Sequence, residues 1–225
     1  MDNSDAMMAK YAQNLNGANG RSPLLDGKMR NVSIIRHGAT KMNNDDVSVD
    51  RIRGWKDPPL TADGKREAAQ LGEQMKRNRP NVLLTSDLKR AAETADIISK
   101  KIWVPVAEES QGFRPWDVGD YAGKTTKEAI PILADYAMHK PGTKVPGGES
   151  FDSFRDRFFG AVQNALREYE GHIGIVTHHR GERLMHAWAA EGFPSDGSIR
   201  ISEFNKKGEA PGTISNMKIP QSLPR

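Results

Sequence analysis

The chain has 225 residues, a formal net charge of +4 at pH 7 and no cysteine. That length suits one domain with a sizeable core, and the missing cysteines exclude disulfide staples, thiolate nucleophiles and cysteine-ligated metal while fitting a reducing compartment. No apolar run approaches the roughly 20 residues that span a bilayer, the amino terminus lacks the apolar stretch of a secretory signal, and the basic residues are scattered among acids, so a cytoplasmic protein with no membrane or nucleic-acid partner is expected.

Residues 1–30, rich in Asn, Gly, Ser and Asp, are expected to form a flexible arm, with a short helical piece around Ala6 to Leu15. Strand-like and helix-like segments then alternate through an expected domain of residues 31–220. This is the pattern of a single-domain α/β fold with a mainly parallel central sheet and helices on both faces. The first strand, Val32 to Arg36, delivers Arg36 and His37 to its carboxyl end, where open α/β sheets place their ligands. Gly38 is read as the turn that lets the backbone pass close to a bound anion. A polar loop runs from Asn44 to Pro59, after which Thr61 precedes a helical pattern carried by Ala68, Leu71 and Met75. Val82 to Thr85 is the next buried strand. Leu88 to Ile102 is the next helix, with Ala91, Ala95 and Ile98 on one face and Arg90 in its first turn, where the helix dipole adds to its charge in favouring phosphate.

Residues 103–148, interrupted by glycine and proline, are expected to be irregular: an insertion over the strand ends that forms the wall or lid of a pocket. Glu149 to Tyr169 is an amphipathic helix whose stripe of Phe151, Phe154, Phe158, Val162, Ala165 and Tyr169 reads as core. Ile173 to Thr177 is the last central strand, ending at His178. Glu182 to Glu191 is a helix closed by Gly192, and Ile199 to Phe204 is expected to pair with Thr213 to Ile219 as a terminal hairpin.

An adjacent arginine and histidine at a strand end suit phosphate chemistry. Imidazole can attack phosphorus near neutral pH, and a guanidinium fork matches phosphate oxygens bidentately. His37 must be neutral to attack, so its proton is expected on the ring nitrogen facing the backbone, held by a carbonyl or similar acceptor. Four segments in order, RHGATKMN, RIRGWKDPPLTADGKREA, TSDLKRAAETA and VTHH, resemble the histidine phosphatase (phosphoglycerate-mutase-like) superfamily from about Val32 to Ile219. The resemblance implies an α/β fold, a phosphohistidine intermediate, small phosphorylated substrates and no metal cofactor. In its pattern His37 matches the nucleophile, Arg36 and Arg90 the phosphate-clamping arginines and His178 the second histidine. Thr40 and Asn43 match polar, substrate-binding positions of the first motif.

Two departures from that pattern stand out. Many relatives carry a glutamate four residues before the glycine matching Gly119; here that position is Pro115, which cannot donate a proton. Asp117, between Trp116 and Val118, is the nearest replacement acid, with Asp120, Glu108 and Glu109 as weaker candidates and a turn role as the competing reading of Asp117. His179 and Arg180 stand where the family usually has glycine after the second histidine; either can touch phosphate or substrate, and Arg180 is taken as a substrate-binding candidate. His178, His179, Glu182 and His186 match no established metal-ligand spacing, so no metal is expected. His139 and His172 read as surface or loop residues. The glutamate-arginine-histidine-tyrosine segment of glycolytic mutases is absent, which favours phosphomonoester hydrolysis over mutase transfer. A phosphate-binding pseudoenzyme is the other alternative, against which His37 argues, since a binder needs only the arginines.

Overall fold

A computed structural model describes residues 29–194, 196–206 and 210–220. Five strands form one mixed sheet: β1 (Met29–Arg36), β2 (Val82–Ser86), β3 (Val106–Ser110), β4 (Ile173–Thr177) and β5 (Ile214–Pro220), in the order β3-β2-β4-β1-β5. The first four run parallel, and β5 is antiparallel to β1. The central strands are short runs of aliphatic residues because both faces of a parallel sheet are covered. Their side chains alternate accordingly. Val32, Ile34, Leu84 and Ile175 face one core with α3 (Thr126–His139), α4 (Phe151–Glu168) and α5 (His179–Ala189), whereas Ile35, Leu83 and Val176 face a second core with α1 (Ala62–Met75) and α2 (Lys89–Ile102).

The helix starts follow from local chemistry. Thr61 caps α1 by accepting from the Gly64 N–H, and Ser150 caps α4 by accepting from the Ser153 N–H. The stripe Phe151, Phe154, Phe158, Val162 and Ala165 is buried, as its spacing requires; Tyr169 caps the end and is only partly covered.

Residues 103–148 are not irregular. They contain β3 on the sheet edge and the 14-residue α3, opened by a capping box in which Thr125 and Glu128 exchange hydrogen bonds. Pro131 lies inside α3 and reads as a breaker in sequence, yet Ala129, Leu133 and Ala137 are buried on one helical face, and that burial holds the helix. The expected terminal hairpin does not form. Ile201–Phe204 is a short helix, α6, whose Phe204 packs into the aromatic cluster 4.9 Å from Phe151, while β5 pairs with β1 from Met29↔Pro220 to Ile35↔Ile214. The open edge of β1 offers a longer ladder than a four-residue strand could. It also draws Met29 and Arg30 out of the expected arm and into the sheet; the rest of the arm, with its helical piece, lies outside the described residues. α5 begins at His179, three residues earlier than its spacing suggests, so His178 is its N-cap.

Because β1, β2 and β4 are parallel neighbours in register, Arg36 lies level with Thr177, and the carboxyl ends of three strands open onto one crevice. The chain therefore gathers His37, Ser86 and His178 from positions far apart in sequence.

Candidate active site

The backbone of His37 is pinned on both sides. Its N–H donates to the Thr177 carbonyl at 3.0 Å, and its carbonyl accepts from the Gly212 N–H at 3.0 Å. The imidazole is fixed as well. Nδ1 lies 2.7 Å from the Gly38 carbonyl, which can only accept, so Nδ1 carries the proton and Nε2 keeps its lone pair. Nε2 in turn accepts from Arg90 Nε–H at 3.2 Å. The same Nε–H points at His178 Nδ1, also 3.2 Å away, which makes His178 Nε2 the protonated nitrogen and the donor to Ser86 Oγ at 2.8 Å. One guanidinium thus sets the orientation of both rings, whose centroids are 5.1 Å apart.

Arg90 sits in the first turn of α2, as its sequence position after β2 dictates. Its two terminal nitrogens donate to the carbonyls of Lys56, at 2.7 Å, and Gly54, at 3.0 Å. Gly54 has φ +49° and lies where an added Cβ would meet Val118, so a glycine is needed to present that carbonyl. Gly38 is glycine for a different reason from the one expected. A Cβ there would come within 2.3 Å of the Gly64 carbonyl oxygen, so the requirement is the close approach of this loop to the first turn of α1, not the passage of an anion.

A cavity of about 640 Å³ opens over these groups. Arg36, His37, Asn43, Arg90, His178 and Arg180 line it, together with Arg53 and His179. Its electrostatics are those of a cationic site with few internal counter-charges. Burial, then neighbouring Arg53, lowers Arg36 to about 10; the same two causes bring Arg90 to about 9. Burial and then Arg90 hold His37 and His178 well below the imidazole range; burial and then Arg36 do the same for His179. All three rings are neutral at pH 7. A set of buried arginines around a neutral, oriented imidazole is complementary to a phosphoryl dianion, and a dianion that draws the Arg90 N–H off Nε2 frees that ring nitrogen to attack.

Two expected residues are not at the cavity. Thr40 is buried beneath it, donating through N–H and Oγ1 to Asn43 Oδ1 at 2.9 and 3.0 Å, so it orients Asn43 from behind. The Asp117 carboxylate accepts from the Gly119 N–H at 3.2 Å, the turn role, while its flanking residues Trp116 and Val118 line the wall instead. Glu108, Glu109 and Asp120 are absent from the lining too. Pro115 does reach the cavity, its carbonyl held by Trp55 Nε1–H at 2.9 Å and by Arg157. His172 lies in the loop before β4 but not on the surface: it is buried and bonded to Ser33 Oγ at 2.7 Å. His139 is exposed beside Asp135, and His186 bonds Ser215 Oγ. Sequence reasoning missed Arg53, which pairs with Asp50 at 3.2 Å, and Ser86. Both stood inside motifs quoted above as whole segments, so the signal was present but not assigned to single residues. Asp45, on the polar loop and lining the cavity, carried no signal beyond its charge.

A metal-independent phosphoserine phosphatase of Arabidopsis thaliana is 29% identical over 163 residues, 70% of this chain and 67% of that protein. An uncharacterized phosphatase, PhoE, of Bacillus subtilis is 30% identical over 151 residues, 67% and 72% of the two chains. Probable phosphoglycerate mutases of Salmonella strains reach 29% over 155 residues, 67% of this chain and 70% of theirs. Among solved structures, Bacillus stearothermophilus YhfR superposes with a TM-score of 0.67 at 27% identity, covering 83% of this chain and 90% of its own. Residues 32–204 match the family model of the histidine phosphatase superfamily (branch 1), and the chain belongs to that family.

Proposed function

We propose that this protein is a phosphomonoesterase that works through a phosphohistidine at His37. The observation that carries the reading is the His37 ring, whose Nδ1–H is committed to the Gly38 carbonyl and whose Nε2 lone pair lies beside Arg90. In the first step the Arg90 Nε–H turns from Nε2 to the phosphoryl group, Nε2 attacks phosphorus and the bond to the leaving alcohol breaks. Arg36 and Arg90 match the charge on the equatorial oxygens, while His178, its Nε2–H given to Ser86, helps hold Arg90 in place. Water then attacks the phosphohistidine, the P–N bond breaks, and the electron pair returns to Nε2 as orthophosphate forms.

The leaving oxygen needs a proton. Asp45 and Asp50 are the two carboxylates lining the cavity. Asp50 is committed, accepting from Thr126 Oγ1 at 2.5 Å, the Asn44 N–H at 3.1 Å and Arg53 at 3.2 Å. Asp45, exposed and lining the cavity, has no hydrogen-bond or ion-pair partner among the described residues, and we assign to it, in place of Asp117, the relay of a proton from solvent to the leaving oxygen. Mutase transfer would require water to be kept from the phosphohistidine; the segment that recognises the second substrate end in glycolytic mutases is missing, so hydrolysis is preferred. A binder would have no need of a histidine held in its attacking tautomer. Small phosphorylated substrates follow from this reading, and a cytoplasmic setting rests on the cysteine-free composition alone.

His37→Ala tests the proposal. Turnover of an aryl phosphate should fall below about a hundredth of the original rate, the scale of a lost nucleophile, and acid-labile phosphate trapped after a quench should disappear. Retained turnover with trapped phosphate elsewhere would overturn the assignment.

A further inference from the structure

We infer that Arg180 anchors a second anionic group on the substrate, so that the favoured phosphomonoesters are those whose alcohol also carries a carboxylate or another phosphate. The inference rests on the phosphatase reading and names the substrate class for the same cavity.

Arg180 is the second residue of α5, next to the positive end of the helix dipole, where a cation is disfavoured. Among the described residues its polar contact is one long hydrogen bond, 3.5 Å to the Phe204 carbonyl, and its guanidinium lies over the Phe204 ring at 4.9 Å. Among the described residues no carboxylate pairs with it. Several other covered arginines do have one: Arg114 pairs with Asp87 at 2.6 Å, Arg157 with Glu149 at 2.7 Å, and the buried Arg183 with Glu203 at 3.8 Å, while Arg30 donates to two backbone carbonyls instead. Burial, and then the neighbouring Arg183, lower Arg180 to about 10 with no acid to offset them. A guanidinium withdrawn from water without a counter-charge is costly unless a ligand supplies one.

The cavity tells where that ligand group lies. Arg90 holds the His37 ring, whereas Arg180, on the same cavity, makes its hydrogen bond and ring contact with Phe204. A group held by Arg180 would therefore lie on the Phe204 side of the cavity, away from the Arg90 clamp. Asn205, which lines the same cavity, has a buried Oδ1 with no hydrogen-bond partner among the described residues, and a turn of its amide would offer an N–H to the same ligand. The space between is ample. At about 640 Å³ the cavity is in the range of sites for whole organic ligands, and Ile52, Trp116, Val118, Ile130 and Leu133 give the alcohol's carbon frame an apolar wall.

Phosphonates test this without turnover, because their P–C bond is not hydrolysed. Calorimetry on the full chain would compare phosphonoacetate, phosphonopropionate and phosphonobutyrate with the alkylphosphonates in which methyl replaces the carboxylate. At least one acid should bind about 10–100-fold more tightly than its alkyl partner, the scale of a charge-assisted hydrogen bond. In Arg180→Met that advantage should shrink to within about threefold, and Arg180→Lys should recover part of it. No advantage at any chain length in the original protein would overturn the inference on its own, whether or not the variants fold. So would an advantage that survives Arg180→Met. Failure of the phosphatase reading would show separately, as absent turnover of alkyl phosphates by a protein that still binds these ligands.

Discussion

A histidine attacks phosphorus only with a free lone pair, and at His37 one carbonyl oxygen 2.7 Å from Nδ1 decides which nitrogen has it. That detail follows from the turn at Gly38, so the sequence could reveal the need for an acceptor but not its position. The proton donor shows the opposite case. Pro115 announced in the sequence that the usual acid was missing, but the replacement depends on which carboxylates a folded loop turns inward. Asp117 is spent on the Gly119 N–H, whereas Asp45 lines the cavity without a partner among the described residues. Asp45→Asn should slow hydrolysis of alkyl phosphates by roughly 10²–10⁴ and nearly spare aryl phosphates, whose leaving groups need little protonation. Asp117→Asn should leave that ratio unchanged. Equal slowing of both substrate types by Asp45→Asn would mean that the residue positions substrate instead of protonating it.

At the scale of elements, strands with a buried aliphatic run were legible because two covered faces leave little freedom in composition. β2 and β4 lie within a residue of their expected spans, and β1 ends where expected but begins three residues earlier, at Met29. α3 was obscured by Pro131, and β5 was assigned the wrong partner because strand pairing is a tertiary choice that local pattern does not encode. The junction of the β1–α1 loop with α1 was also hidden in sequence. Gly38 and Gly64 approach so closely that a Cβ on Gly64 would lie 2.1 Å from the Ala39 carbonyl oxygen, a backbone contact that no rotamer change can relieve. Gly64→Ala should therefore cost about 1–3 kcal/mol, the usual range for overpacking, and lower the melting temperature by about 2–4 °C for each of those kcal/mol. It should also reduce turnover by moving Gly38, the acceptor that orients His37. An unchanged melting temperature and rate would mean that the two segments separate at little cost.

Across the whole molecule, the sheet's carboxyl edge collects Arg36, Arg53, Arg90 and Arg180 around three neutral imidazoles, an arrangement that favours an anion at the expense of the unliganded fold. Stability should therefore depend on pH in a definite direction. His37, His178 and His179 are held well below 6.5 when folded, mainly by burial, and His172 is lowered in the same sense. The unfolded chain then binds more protons than the folded one as pH falls through about 6.5, so this contribution is complete above that pH and is lost below it. Each buried imidazole can add up to about 1.4 kcal/mol per pH unit to the slope. The lowered carboxylates, among them Asp46, Glu73 and Asp135, start from 3.8 or 4.5 and act at more acid pH, which leaves the window from about 7 to 5.5 to the histidines. Urea unfolding at pH 7.5 and 5.5 should show a clear fall in stability without a change in m-value, and saturating orthophosphate should shrink that fall by favouring protonated rings near the bound anion. His179→Gln should flatten the slope by about one proton. Equal stability at the two pH values would show that the rings protonate freely in the folded state, and the neutrality proposed for His37 could not then come from burial among arginines.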